Sequence, residues 1–135
     1  MGFSFGGYLA LRLAFGAEGG SQVASDPVER ESCRPSFLAL VYPGAPEHAA
    51  LPKPFPPTFI VHANDDPKLP SSVVLGTAAL LQKEGASLEL HLFREGDHGL
   101  ALGHTGGAVR SWPRLFENWR LDLGLLSRSE TRTSN

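Results

Sequence analysis

Apolar and polar positions alternate along this chain in blocks that read in turn as helices and strands. Tyr8 to Phe15 runs through Leu9, Leu11, Leu13 and Ala14, mostly strong helix formers, and Gly16, Gly19 and Gly20 end the segment. Residues 16–36 are rich in glycine, serine, proline and charge, which predicts a long connection with a helical turn around Asp26 to Glu31. Phe37 to Tyr42 is a continuous apolar run stopped by Pro43-Gly44, as expected of a strand buried on both faces. A proline-rich loop to Pro57 follows, then a second such strand, Thr58 to Ala63, closed by the polar turn Asn64-Asp65-Asp66-Pro67.

The second half repeats the alternation. Ser71 or Ser72 is placed to cap a helix running to Glu84, with Gly85 as its stop. Leu88 to Phe93 alternates apolar with polar, so this third strand has one wetter face and belongs near a sheet edge. Gly96 to Gly107 reads as a glycine-rich loop. Trp112, Leu115, Phe116, Trp119 and Leu123 recur at helical spacing and predict a last helix, which starts near Pro113, where proline fits the first turn. No strand is expected ahead of the first helix.

Strands alternating with helices indicate an α/β fold, a mostly parallel sheet covered by helices on both faces. The length of 135 residues suits one domain, over 1–126, followed by a polar tail over 127–135. With 41% hydrophobic and 19% charged residues the chain can bury a core. Its formal net charge of −2 carries no long block of one sign, so neither nucleic acid nor an anionic membrane is expected as partner. No apolar run approaches a membrane span. The single cysteine, Cys33, can form no intramolecular disulfide, and no histidine near it in sequence would activate it.

The chemistry concentrates where predicted strands end. Gly2-Phe3-Ser4-Phe5-Gly6 matches G-x-S-x-G, in which a serine sits on a sharp strand-to-helix turn that needs small flanking residues, here Gly2 and Gly6. At the N-terminus of the following helix the unpaired N–H groups favour negative charge, and the N–H of Phe5 is the expected oxyanion donor. Asp66 follows the second strand, at the edge where open α/β sheets place their sites, and Asp65 is a rival for the same role. His98 stands between Asp97 and Gly99 just past the third strand; an unperturbed imidazole titrates at about 6.5, which suits a general base. Taken singly, each is an ordinary loop residue. Together, Ser4, Asp66 and His98 form a set of nucleophile, acid and base. His48 and His104 are read as bystanders, His91 as a strand side chain, His62 as a structural group, and Asp97 is given no role.

At this point the sequence resembles a known family. Gly2-Phe3-Ser4-x-Gly6-Gly7, Arg34-Pro35-x-Phe37, Val41-Tyr42-Pro43, Pro56-Pro57-Thr58-Phe59-x-Val61-His62-Ala63, Asp65-Asp66-Pro67, Gly96-x-His98-Gly99 and Trp112-Pro113 look like the α/β-hydrolase serine esterases. The likeness is to the branch of acetyl esterases and acetyl-xylan esterases, and to the C-terminal part of the fold. In that family the order serine, acid, histidine along the chain is the usual one. The resemblance implies hydrolysis of short-chain carboxylic esters, acetyl esters of carbohydrates among them, through an acyl-enzyme and with no metal or cofactor. It also implies further strands and a His-Gly-Gly oxyanion loop upstream of the elbow, and a smaller residue where Phe5 stands. Two alternatives stay open: an inactive remnant that self-associates through an exposed sheet edge, and a peptidase using the same three residues. The compartment is left open, with the cytoplasm as default and secretion requiring a leader further upstream.

Overall fold

The computed structural model describes residues 1–16, 19–45, 54–102 and 106–127. Among these residues four strands form one parallel sheet in chain order: β1 (Gly2–Phe3), β2 (Leu38–Val41), β3 (Thr58–Ala63) and β4 (Leu88–Phe93). Three helices pack on it, α1 (Phe5–Gly16), α2 (Ser71–Lys83) and α3 (Trp112–Asp122), with short 3-10 turns at Val28–Arg30 and Ala108–Ser111. The expected α/β class, the two buried strands and the helical turn near Glu29 are all present. His48, His104 and the tail from 128 onward lie outside the described residues.

Every residue of β2 and β3 is buried, which is why both read as unbroken apolar runs rather than alternating ones. Their side chains divide between two cores by parity. Leu38, Leu40 and Ile60 meet Leu11 and Ala14 of α1 and Val74 and Leu81 of α2. Ala39, Val41, Phe59, Val61 and Ala63 face the other way, onto Trp112, Phe116 and Trp119 of α3. Burying side chains of this size contributes about 1.5–3 kcal/mol each, so the helices are held mainly by what they cover. β4 has mostly half-buried residues and stands at the sheet edge, as its alternation predicts.

Four details differ from the sequence reading. Gly2 and Phe3 do form a strand, pairing with Leu40 and Val41, because the parallel ladder of β2 supplies partners that local pattern cannot reveal. Neither Ser71 nor Ser72 caps α2. Pro70 occupies the cap without a side-chain bond, and the Ser71 hydroxyl donates instead to Asn64 Oδ1 at 2.9 Å across the short turn from β3. Leu123 falls off the buried stripe of α3, at 39% exposure, because the helix stops at Asp122 and Gly124 turns the chain in the left-handed region (φ 69°). The fourth difference, at Gly6, belongs to the site.

Candidate active site

β1, β3 and β4 run parallel, so the segments leaving their C-terminal ends gather along one edge of the sheet. Ser4 leaves β1, Asp65 and Asp66 leave β3, and His98 leaves the loop after β4. The structure brings Ser4, Asp66 and His98 together.

Ser4 adopts a left-handed backbone (φ 49°), an uncommon state for a residue with a side chain. Three bonds fix it there. Its N–H donates to the Val41 carbonyl at 2.9 Å, extending the β1–β2 ladder, while its own carbonyl accepts from Gly7 and Tyr8 at 3.0 and 3.1 Å, opening α1. The turn is so tight that a Cβ on Gly2 would lie 2.1 Å from the Gly6 carbonyl oxygen, and one on Gly7 would crowd Gly2 and Pro43 at 3.1 Å. Gly6 itself is exposed, and a Cβ there meets no atom within 4 Å. The steric demand expected of Gly2 and Gly6 therefore falls on Gly2 and Gly7. Phe5 is the first residue of α1, so its N–H is among those a helix leaves unpaired at its start.

The Ser4 hydroxyl lies 3.0 Å from His98 Nε2, and His98 Nδ1 lies 2.8 Å from Asp66 Oδ2. The order of these contacts fixes the tautomer. A carboxylate can only accept, so Nδ1 carries the proton and Nε2 presents a lone pair to the Ser4 hydroxyl. Asp66 is 5% exposed, and its other oxygen accepts the N–H groups of Lys68 and Leu69 at 2.8 and 2.9 Å. Burial pushes this carboxyl up, but the bonds from Leu69, His98 and Lys68 outweigh it and hold it below the ordinary carboxylate value. Asp65 does not share the imidazole; its Oδ1 accepts from the main chain of Gly96 and Asp97 instead.

Tyr42, which carries no role in the sequence reading, packs against the imidazole. Its ring stands edge-on to the His98 imidazole with centroids 4.9 Å apart and meets Phe3 on its other side at 6.1 Å. Burial, and then the charge of Asp66, raise its phenol above the usual value. Its left-handed backbone (φ 41°) directly after β2 turns it toward the imidazole, and no residue pattern in the sequence encodes that. His62 is fully buried, with Nε2 donating to the Leu69 carbonyl at 2.9 Å. His91 bonds Glu89 on β4 at 2.6 Å. Asp97 bonds the main-chain N–H of His98, not its ring.

A cleft of about 460 Å³ opens over Ser4 and His98, walled by Phe5, Tyr8, Gly44, Lys68 and Leu69. Phe5 stacks on Tyr8 with ring centroids 5.5 Å apart. Among the described residues, no group of histidine, cysteine and carboxylate side chains is arranged to hold a metal ion, and no helix is long and apolar enough to cross a membrane.

A scan against protein-family models and a search of curated proteins give no match. Solved structures do match. An acetyl ester-xyloside bifunctional hydrolase from Caldicellulosiruptor lactoaceticus aligns with a TM-score of 0.83 at 33% identity, over 93% of this chain and 56% of that one. MGS-M1, an α/β hydrolase enzyme from a Medee basin deep-sea metagenome library, aligns at 0.68 and 29% identity, over 93% and 53%. The carboxylesterase Cest-2923 from Lactobacillus plantarum WCFS1 shares the fold at 0.69 and 21% identity, over 95% and 59%. The chain thus spans little more than half the length of these relatives. With its parallel sheet and its serine on a strand-to-helix elbow, it has the fold of the α/β-hydrolases and is similar to the esterases among them.

Proposed function

We propose that this chain carries the reacting centre of a carboxylic-ester hydrolase for short acyl groups, with acetyl esters of carbohydrates as the substrate class. The observation that carries this reading is the unbroken series from the Ser4 hydroxyl through the imidazole of His98 to the carboxylate of Asp66, at 3.0 and 2.8 Å. His98 Nε2 takes the Ser4 proton as the oxygen attacks the ester carbonyl, and Asp66 holds the tautomer and balances the charge on the ring. The developing oxyanion meets the N–H of Phe5 at the start of α1. Return of the proton to the departing alcohol leaves an acyl-serine, which water attacks with His98 acting again. The aromatic pair Phe5 and Tyr8 narrows the cleft and favours a small acyl group. The acetyl-ester reading is supported by the similarity to the acetyl ester-xyloside bifunctional hydrolase from Caldicellulosiruptor lactoaceticus.

The test is turnover of p-nitrophenyl acetate, set beside acetylated xylo-oligosaccharides and aminoacyl amides, by the chain and by Ser4→Ala. Loss of hydrolysis in the variant is expected, together with acetyl esters outpacing amides. Equal turnover by both proteins would sink the assignment.

One observation favours a second reading, self-association. Phe5, Leu9 and Leu13 recur on one face of α1, and all three, with Met1, are more than half exposed. They lie beside β1, which among the described residues is an edge strand. A second copy covering this face would raise the mass measured by light scattering as concentration rises, and Leu9→Lys with Leu13→Lys would abolish the rise. A constant monomer mass removes this reading.

A further inference from the structure

The three residues leaving β3 each tie a different part of the edge together. Asn64 continues the ladder, its N–H donating to the Phe93 carbonyl at 2.7 Å, and its side chain accepts from Ser71 of α2. Asp66 holds the His98 ring. Asp65, between them, reaches the main chain just before that histidine. Its Oδ1 accepts the N–H groups of both Gly96 and Asp97, at 2.8 and 2.9 Å, from 31 and 32 residues away.

The loop needs such a hold. After β4 the chain passes close under β3, where a Cβ on Gly96 would lie 2.9 Å from the Ala63 Cβ. Asp97 then turns in the left-handed region (φ 57°), and Gly99 does so again (φ 90°). Two reversals around one residue leave the direction of His98 undetermined by local preference. Consecutive N–H groups fixed on one charged oxygen remove that freedom, because such bonds are stronger than neutral ones.

We propose that Asp65 is a positioning residue for His98: it sets the main chain just before His98 while Asp66 sets the ring. The proposal rests on the reading of Ser4, His98 and Asp66 as the reacting set. Neighbouring carboxylates thereby divide one task, Asp66 bonding the ring and Asp65 the two main-chain N–H groups that precede it.

The experiment compares the full chain with Asp65→Ala and Asp65→Asn, the latter retaining an acceptor oxygen. Three quantities are read: amide exchange at Gly96 and Asp97, the downfield proton signal of His98 Nδ1–H, and kcat and KM on p-nitrophenyl acetate. In Asp65→Ala, exchange at both amides should rise about tenfold or more and the Nδ1–H signal should be lost. In the same variant kcat should fall about 10–100-fold with KM nearly unchanged, the size expected of a misplaced reacting group. Asp65→Asn should restore most of all three. Unchanged exchange and an unchanged Nδ1–H signal in Asp65→Ala overturn the proposal, as does Asp65→Asn behaving like Asp65→Ala. Where Asp65→Ala does not fold, the unmutated chain decides. Scalar coupling across the hydrogen bonds, from the Gly96 and Asp97 amide nitrogens to the Asp65 carboxyl carbon, is expected, and its absence overturns the proposal. The NMR signals need no turnover, so an inactive wild-type chain counts against the esterase reading alone.

Discussion

The main-chain N–H of Ser4 donates to the carbonyl of Val41 at 2.9 Å, so the nucleophile candidate is anchored by a neighbouring strand and not by its own side chain. Removing the hydroxyl therefore leaves the elbow in place. Ser4→Ala keeps the left-handed backbone and its cost, whereas Ser4→Gly relieves it. Urea unfolding should find Ser4→Gly more stable than Ser4→Ala by about 1 kcal/mol, with the same slope against denaturant. Neither variant should hydrolyse esters.

The glycines around the serine are not equivalent. Gly2→Ala drives a methyl group onto the Gly6 carbonyl and should destabilise by about 3 kcal/mol or more. Gly6→Ala points into open space within a helix and should be neutral or stabilising by up to about 1 kcal/mol. Thermal melts of both variants check this, and a Gly6→Ala penalty equal to that of Gly2→Ala would contradict the geometry.

Asp66 links the site to acid stability. Its folded-state pKa lies below the ordinary value, so its ionised form is favoured by folding. That contribution is complete above the unfolded value of about 3.9 and is lost as the pH falls through the depressed folded value. The stability gap between the wild type and Asp66→Asn should accordingly shrink on acidification below about pH 4. At neutral pH the same variant should lose about 10⁴-fold in kcat, since an amide can hold the wrong tautomer. Unfolding curves across the acid range test the first expectation and esterase assays the second.

Tyr42 can be followed by its own absorbance. The chain has two tyrosines, so Tyr8→Phe leaves Tyr42 as the only phenol. Its tyrosinate band should rise above the ordinary phenol value of about 10, because burial and then the Asp66 charge both oppose ionisation. Replacing Asp66 by Asn in that background should move the rise back toward lower pH.

Trp112 joins α3 to the site edge. It is 1% exposed, meets Phe3 at 6.2 Å, and its indole N–H donates to the Ala101 carbonyl at 2.9 Å. Trp112→Phe should cost about 1–3 kcal/mol, and Trp112→Ala about 3–5 kcal/mol. Chemical denaturation measures both.

The sequence exposed what is local or periodic. β2 and β3 were legible because parallel strands buried on both faces must be apolar throughout, and α3 because its aromatic residues repeat at helical spacing. Ser4 could be nominated because it sits in a G-x-S-x-G motif, and Asp66 and His98 because each lies in the loop after an apolar run. The contribution of Asp65 was not legible: both acids sit in one turn, and only the folded loop after β4 decides which of them meets the ring. The Gly2–Phe3 strand is too short for any periodicity, and Ser71 was drawn from its capping role by Asn64, a partner seven residues back. Leu123 kept the helical spacing while the helix had already ended. For β1 and Ser71 a contact with another element decided what local pattern could not, and for Leu123 the turn at Gly124 did.

The parallel sheet also gives the molecule a working end and a handling end. The proposed reacting groups follow the C-terminal ends of the strands, while exposed Ser87 precedes β4 at the opposite end. A tether, fluorophore or solid support attached there would leave the cleft facing the solution. Orientation on a surface is thus decided by the direction in which the strands run.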